Sequence, residues 1–141
     1  MSLYCDASVI VPAIIEEPLS GAVAALLQGQ SRAVLVSDFA AGEFASAVAR
    51  RFRMAELTAA EAQQALIEYD LWSSVAAQGV HVAREDIANA TALVRRLDLK
   101  LRLPDAIHLA ICMRLGLTLA TLDLGLANAA RALGAPHIVP A

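Results

Sequence analysis

Short apolar runs alternate with helical patterns from one end of this chain to the other, and no other feature limits its fold as strongly. Leu3-Tyr4-Cys5 reads as a first strand, followed by a short helix from about Ser8 and a second that opens at Pro18 and ends near Gly29. Ala33-Val34-Leu35-Val36 is apolar without interruption, the mark of a strand covered on both faces. Ser37-Asp38 is a cap signal for a long helix reaching about Arg53. Thr58 and Glu61 have the capping-box spacing for a helix extending to about Ala76, and Gly79 closes that region. Val80-His81-Val82 predicts a short strand, and a helix follows from about Arg84 to Leu97. Pro104 fits the first turn of a helix that Gly116 stops. Thr118-Leu119-Ala120 is another strand, a helix runs from Asp123 to Gly134, and His137-Ile138-Val139 closes the chain. Strands joined by helical crossovers imply a parallel sheet covered on both sides. The expected fold class is therefore α/β, a three-layer α/β/α sandwich with a mostly parallel central sheet, formed as one domain by residues 1–141.

The chain is 58% hydrophobic, but 31 of its residues are alanine and 21 leucine. Alanine favours helix and adds little burial per residue, so this composition describes closely packed helices rather than a membrane protein. The most apolar stretches, such as Ala7 to Ile15, fall short of the roughly 20 residues that span a bilayer. No basic region precedes an apolar core at the N-terminus, so a cytoplasmic location is expected. Cys5 and Cys112 lie far apart without metal-type spacing and read as free, buried thiols in a reducing compartment. The net charge of −3 argues weakly against indiscriminate nucleic-acid binding.

Ligands of open α/β sheets gather outside the carboxyl ends of the strands, so the acidic residues there matter most. Asp6 follows the first strand, Asp123 follows Thr118-Leu119-Ala120, Asp105 falls in the first turn of a helix and Glu43 in the second turn of another. Taken singly, such an aspartate is a helix cap or a partner of the helix dipole, and Glu43 is a solvated helix position. Taken together, four carboxylates at one sheet edge suit one or two hard divalent cations, which need oxygen ligands and relieve carboxylate repulsion. Spacing alone does not establish that they converge.

The motifs resemble those of the PIN-domain nucleases and, within them, the VapC-type toxins of bacterial toxin–antitoxin pairs. The resemblance runs through Tyr4-Cys5-Asp6-Ala7-Ser8-Val9-Ile10, Val36-Ser37-Asp38 and Ala41-Gly42-Glu43-Phe44-Ala45-Ser46-Ala47. It continues through Leu103-Pro104-Asp105-Ala106-Ile107-His108-Leu109-Ala110 and ends with Leu119-Ala120-Thr121-Leu122-Asp123. It implies that Asp6, Glu43, Asp105 and Asp123 are the family's acidic quartet, with none replaced, and that the hydroxyls of Ser8 and Thr121 support it. Pro104 before Asp105 departs mildly from the family's local sequence. The implied activity is Mg²⁺- or Mn²⁺-dependent endoribonuclease action. Asp6, Asp105 and Asp123 would hold the metal, Glu43 would complete the shell or orient the attacking water, and in-line hydrolysis would leave a 5′-phosphate and a 3′-hydroxyl. The implied partners are an RNA substrate, a cognate VapB-like antitoxin that blocks the cleft, and a second copy in a homodimer, with no membrane involved.

Beyond the quartet, Arg50, Arg51 and Arg53 cluster near the end of the helix that carries Glu43, and Arg95, Arg96, Lys100 and Arg102 precede Asp105. Arg50, Arg51, Arg95 and Arg96 are candidate contacts to RNA phosphates, set against the ordinary readings of helix C-terminal cations and a solvated face. His108, three residues after Asp105, reads as packed or hydrogen-bonded rather than as a ligand, and His81 and His137 as structural. Tyr69, Trp72, Phe44 and Phe52 fall at helical spacing and read as packing residues. A haloacid-dehalogenase-type phosphatase would want a second acid where Ser8 stands, and a receiver domain would want a lysine in a context that Lys100 lacks. The alternatives that remain are a catalytically idle PIN domain binding RNA or protein, and a housekeeping RNA-processing nuclease. Much of the net charge then belongs to the quartet, without which the chain carries a slight positive excess.

Overall fold

In the computed structural model, which describes residues 2–141, five strands form one sheet in which every pairing is parallel. The strands are β1 (Leu3–Cys5), β2 (Val34–Ser37), β3 (Ala77–Val80), β4 (Thr118–Ala120) and β5 (His137–Ile138). The helices are α1 (Ala7–Ile14), α2 (Ser20–Gln28), α3 (Asp38–Arg53), α4 (Ala59–Ala76), α5 (Arg84–Arg95), α6 (Leu103–Leu115) and α7 (Leu124–Ala132), with a 3₁₀ turn at Leu97–Leu99. The spatial order is β3-β2-β1-β4-β5.

The inner strands β1, β2 and β4 are covered on both faces, and their residues alternate between two cores. Tyr4, Leu35 and Leu119 point into one, filled by α5, α6 and α7. Leu3, Cys5, Val34, Val36 and Ala120 point into the other, with Val9 and Ile10 of α1 and Ala40, Phe44 and Val48 of α3. This period-2 division gives the three-layer α/β/α sandwich that the strand–helix alternation requires. Phe44 stacks on Tyr69 with ring centroids 4.8 Å apart, and Trp72 lies beside Tyr69, whereas Phe52 stands exposed. Both cysteines are free and buried, and burial lifts the Cys5 thiol to about 12. Among the described residues, no helix is long and apolar enough to cross a membrane.

Caps place most helix starts where the sequence puts them. Ser37 accepts the Ala40 N–H at the head of α3, and Thr58 and Glu61 exchange both bonds of a capping box at the head of α4. Gly116 takes the left-handed conformation that ends α6. One strand lies elsewhere: β3 spans Ala77–Val80, includes Gly79, and begins directly after α4. Its register is fixed by β2, with Val34 opposite Ala77 and Ser37 opposite Val80. Past Ser37 the partner strand has become α3, so the Val82 N–H turns instead to Asp38 Oδ1 at 3.1 Å. His81, expected inside a strand, is fully exposed there.

Candidate active site

Strand order reverses at β1. The chain builds outward through β2 and β3 on one side, then returns to place β4 and β5 on the other. The crevice at the carboxyl ends of β1 and β4 is thus the topological switch point, where open α/β sheets bind ligands. Asp6 leaves β1 at this crevice, and Thr121 and Asp123 leave β4 there.

Asp6 is only 4% exposed, and both its oxygens are engaged. Oδ1 accepts the Ser8 hydroxyl at 2.6 Å and the Val9 N–H at 3.3 Å, and Oδ2 accepts the Thr121 hydroxyl at 2.5 Å. Each hydroxyl donates to Asp6 and accepts a backbone N–H from the loop after β4: Leu122 N–H to Ser8 at 2.8 Å and Asp123 N–H to Thr121 at 3.0 Å. Ser8 and Thr121 therefore lace the two loops together across the switch point, which goes beyond local capping. Asp123 caps α7, its Oδ1 accepting the Leu126 N–H at 3.1 Å.

Asp105 lies in the first turn of α6, with Arg102 Nε 3.7 Å from its Oδ2. Burial, then the charge of Asp123, push its carboxyl above the ordinary range against the opposing charge of Arg102, and Asp6 adds to the push. Burial also pushes Asp6 upward, against the Ser8 and Thr121 hydroxyls and the Val9 N–H. Asp6, Asp105 and Asp123 thus form one electrostatic group at the switch point. Glu43 approaches from α3 on the other side and bonds His108 Nε2 through Oε1 at 2.5 Å. It also lines an open hollow with Asp38, Phe39, Gly42 and Ser46.

The donor chemistry suits a hard divalent cation: carboxylates in a partly desolvated crevice, repelling one another, with lone pairs to spare. The side chains stop short of a closed cage. Among the described residues, no three His, Cys, Asp or Glu stand together in a group that could hold a metal ion. Asp6 is held by hydroxyls, and Glu43 by His108.

Repulsion of this kind costs stability. Because the native Asp105 carboxyl lies above its unfolded value, ionising it at neutral pH works against folding, and the cost disappears as pH falls below the ordinary carboxylate range. The N-terminus of α6 returns part of it, up to about 1 kcal/mol. Asp105→Asn, measured free of metal, is expected to raise Tm by about 2–4 °C at neutral pH. The gain should vanish in thermal melts below about pH 4. An unchanged or lower Tm at neutral pH would show that Asp105 is not under electrostatic strain.

The basic candidates separate. Arg51 pairs with Glu17, and Arg96 with Asp98 at 3.0 Å, whereas Arg50 and Arg95 are exposed and form no ion pair among the described residues. The quartet motifs do not announce Tyr4 and Ser37, which join His108 in a buried hydrogen-bonded group beside the acids. Their signals were a tyrosine inside an otherwise apolar strand and a serine read only as a cap.

The family model for the PIN domain matches residues 3–132 of the chain. The chain belongs to the PIN-domain family. Solved structures that superpose on this PIN domain include VapC20 of Mycobacterium tuberculosis, a Sarcin-Ricin loop cleaving toxin. Its TM-score is 0.74 at 18% identity, over 91% of this chain and 95% of that one. VapBC2 from Rickettsia felis, bound to a DNA fragment from its promoter, superposes with a TM-score of 0.76 at 13% identity over 100% of both chains. FitAcB from Neisseria gonorrhoeae follows at 0.71 and 17% identity, over 96% of each. At these identities the likeness is one of fold. No curated protein sequence matches the chain.

Proposed function

We propose that this PIN domain is a divalent-metal-dependent endoribonuclease, the toxin of a VapBC-type toxin–antitoxin pair. The observation that carries the reading is the switch-point cluster: Asp6 held by Ser8 and Thr121, with Asp105 and Asp123 near enough to perturb one another. Asp6, Asp105 and Asp123 are the proposed ligands of Mg²⁺ or Mn²⁺. When bound, such an ion polarises the phosphodiester and makes hydroxide accessible near neutral pH. Ser8 and Thr121 fix the Asp6 carboxylate, which with the Val9 N–H on Oδ1 keeps its spare acceptor capacity on Oδ2. Glu43, one oxygen on His108 and the other without a hydrogen bond among the described residues, is the proposed group that orients the attacking water. Of the four candidate arginines, Arg50 and Arg95 are the proposed contacts to RNA phosphates, because among the described residues they form no ion pair.

The Rickettsia felis neighbour is a VapBC protein, which supports a VapB-like antitoxin as partner. A homodimer fits the surface too: Ile67, Leu71 and Val75 recur every fourth residue along α4 and stand exposed. One observation favours a catalytically idle binding module instead, namely the absence of a closed three-ligand group among the described residues. Purified, antitoxin-free protein should cleave RNA with Mg²⁺ or Mn²⁺, leaving 5′-phosphate ends, and should stop when the metal is chelated. Expression without the neighbouring open reading frame should arrest growth. RNA that binds but stays intact at every metal concentration would establish the idle module.

A further inference from the structure

A buried hydrogen-bonded chain links the three elements that carry Asp6, Glu43 and Asp105. The Ala40 N–H donates to Ser37 Oγ at 2.9 Å, and Ser37 Oγ lies 2.7 Å from the Tyr4 hydroxyl. The Tyr4 hydroxyl lies 2.6 Å from His108 Nδ1, and His108 Nε2 lies 2.5 Å from Glu43 Oε1. Tyr4 is wholly buried, Ser37 and His108 nearly so, and Phe39 packs against the imidazole with centroids 5.3 Å apart. No buried side-chain polar atom among the described residues lacks a partner.

Counting hydrogens gives the chain a direction. If Nδ1 carried a proton, it would donate to Tyr4, Tyr4 would donate to Ser37, and the Ser37 hydrogen, with Oγ already accepting from Ala40, would find no acceptor among the described residues. With Nδ1 bare, Ser37 donates to Tyr4, Tyr4 to Nδ1, and Nε2–H to the Glu43 carboxylate. Every donor is then used and every link is satisfied.

From this arrangement we infer that His108 is a positioning residue for Glu43, held in its Nε2–H tautomer by Tyr4 and Ser37. The inference deepens the nuclease reading and rests on it for its catalytic consequence. The geometry explains why a histidine is needed. The chain starts at the capped head of α3 and returns to Glu43 on the same helix, passing through β1 two residues before Asp6 and through α6 three residues after Asp105. A bond made by Glu43 alone would leave its carboxylate free to sweep the open hollow it lines. Anchored to a rigid imidazole, it keeps one orientation relative to the other acids. His108 thereby acts as an orienting partner rather than as a ligand or a proton carrier.

Four variants separate the roles while preserving most of the packing. His108→Gln keeps a donor near the Nε2 position, and His108→Asn keeps an acceptor near Nδ1 but removes the donor to Glu43. Tyr4→Phe removes only the hydroxyl, and Glu43→Gln provides the reference loss. With RNA cleavage as readout, kcat is expected to fall roughly 10–100-fold in His108→Asn, the range for orienting partners, with KM unchanged. His108→Gln should recover most of that loss. Tyr4→Phe should cost about 10-fold, and its loss should not add to that of Glu43→Gln. Thermal melts establish that each variant is folded.

A second readout does not depend on activity. ¹⁵N spectra of the chain's three histidines should show His108 with a protonated Nε2 and a bare Nδ1, and Tyr4→Phe should mix the tautomers. A protonated Nδ1, or kcat unchanged in both His108→Asn and Tyr4→Phe, overturns the inference. Wild-type protein that cleaves no RNA overturns the nuclease reading instead, and the ¹⁵N pattern still decides whether His108 holds Glu43.

Discussion

Asp6→Asn is expected to reduce metal-dependent RNA cleavage by more than about 100-fold, since loss of an orienting partner alone costs roughly 10–100-fold and this change removes a proposed ligand. The fold should survive. Asparagine keeps one acceptor for the Ser8 hydroxyl and the Val9 N–H, and its amide can donate to Thr121 Oγ1 in place of the bond that Oδ2 accepts. Burial also lifts the native Asp6 carboxyl above its ordinary range, despite the hydroxyls and the Val9 N–H that oppose the shift. Removing that charge therefore works in favour of folding at neutral pH, and Tm should hold or rise as cleavage disappears. Quantified cleavage beside a thermal melt checks both halves. Cleavage within about twofold of wild type would take Asp6 out of the active site altogether.

The largest loss of stability is expected outside the acidic quartet, at Asp86. Asp86, at 0% exposure, accepts from Arg114 through both oxygens, each at 2.8 Å, and from the Ala83 N–H at 2.7 Å. Arg114 also donates to the His81 carbonyl at 3.2 Å, so a single bidentate pair fastens α5, α6 and the loop after β3. Ala83 has no side-chain acceptor for the head of α5, which leaves Asp86 as the main polar anchor of that helix start. Asp86→Ala strands a partly buried guanidinium and a backbone N–H. The expected cost is about 2–4 kcal/mol, or a drop in Tm of about 10 °C.

The pH dependence of this pair has a definite sign. Burial raises the Asp86 carboxyl, but the Arg114 hydrogen bonds, the Ala83 N–H and the Arg114 charge together outweigh it and hold the group below its ordinary value. As pH falls, the unfolded chain takes up this proton before the native one does. The stabilisation is thus complete above about pH 4 and lost below it, as pH approaches the native value. The difference in Tm between wild type and Asp86→Ala should shrink over that acid range. A difference that stays constant down to pH 2 would mean that packing, not the ion pair, holds α5 to α6.

Two carboxylates with opposite shifts, Asp86 lowered and Asp105 raised, look alike in the sequence. Asp86 and Asp105 both sit in the first turn of a helix, where an aspartate reads as a dipole partner. Only the tertiary structure gives one an arginine from a neighbouring helix and the other a second carboxylate. The same holds for Arg51 and Arg50, neighbours in sequence, of which one meets Glu17 and the other faces solvent. Partners that distant in the chain leave no local signature.

What the sequence by itself determined is what local physics controls. The unbroken apolar run Ala33-Val34-Leu35-Val36 marked β2 as a strand covered on both faces, short β-type runs marked β1 and β4, and the caps at Ser37, Thr58 and Gly116 marked helix boundaries. Their alternation left a three-layer parallel α/β fold as the simplest outcome, and motif order pointed to the PIN family. The tertiary structure decided what depends on pairing across the chain. It put β3 on Ala77–Val80, because an edge strand takes its register from the neighbour it bonds and not from its own alternation. It reversed the strand order at β1 and so brought Asp6 and Thr121, 115 residues apart, within hydrogen-bonding distance. It also turned a tyrosine, a serine and a histidine, each ordinary in its own segment, into one chain ending on Glu43. Hydrogen bonds between buried side chains depend on positions to within a few tenths of an ångström, and that precision exists only once the layers have packed.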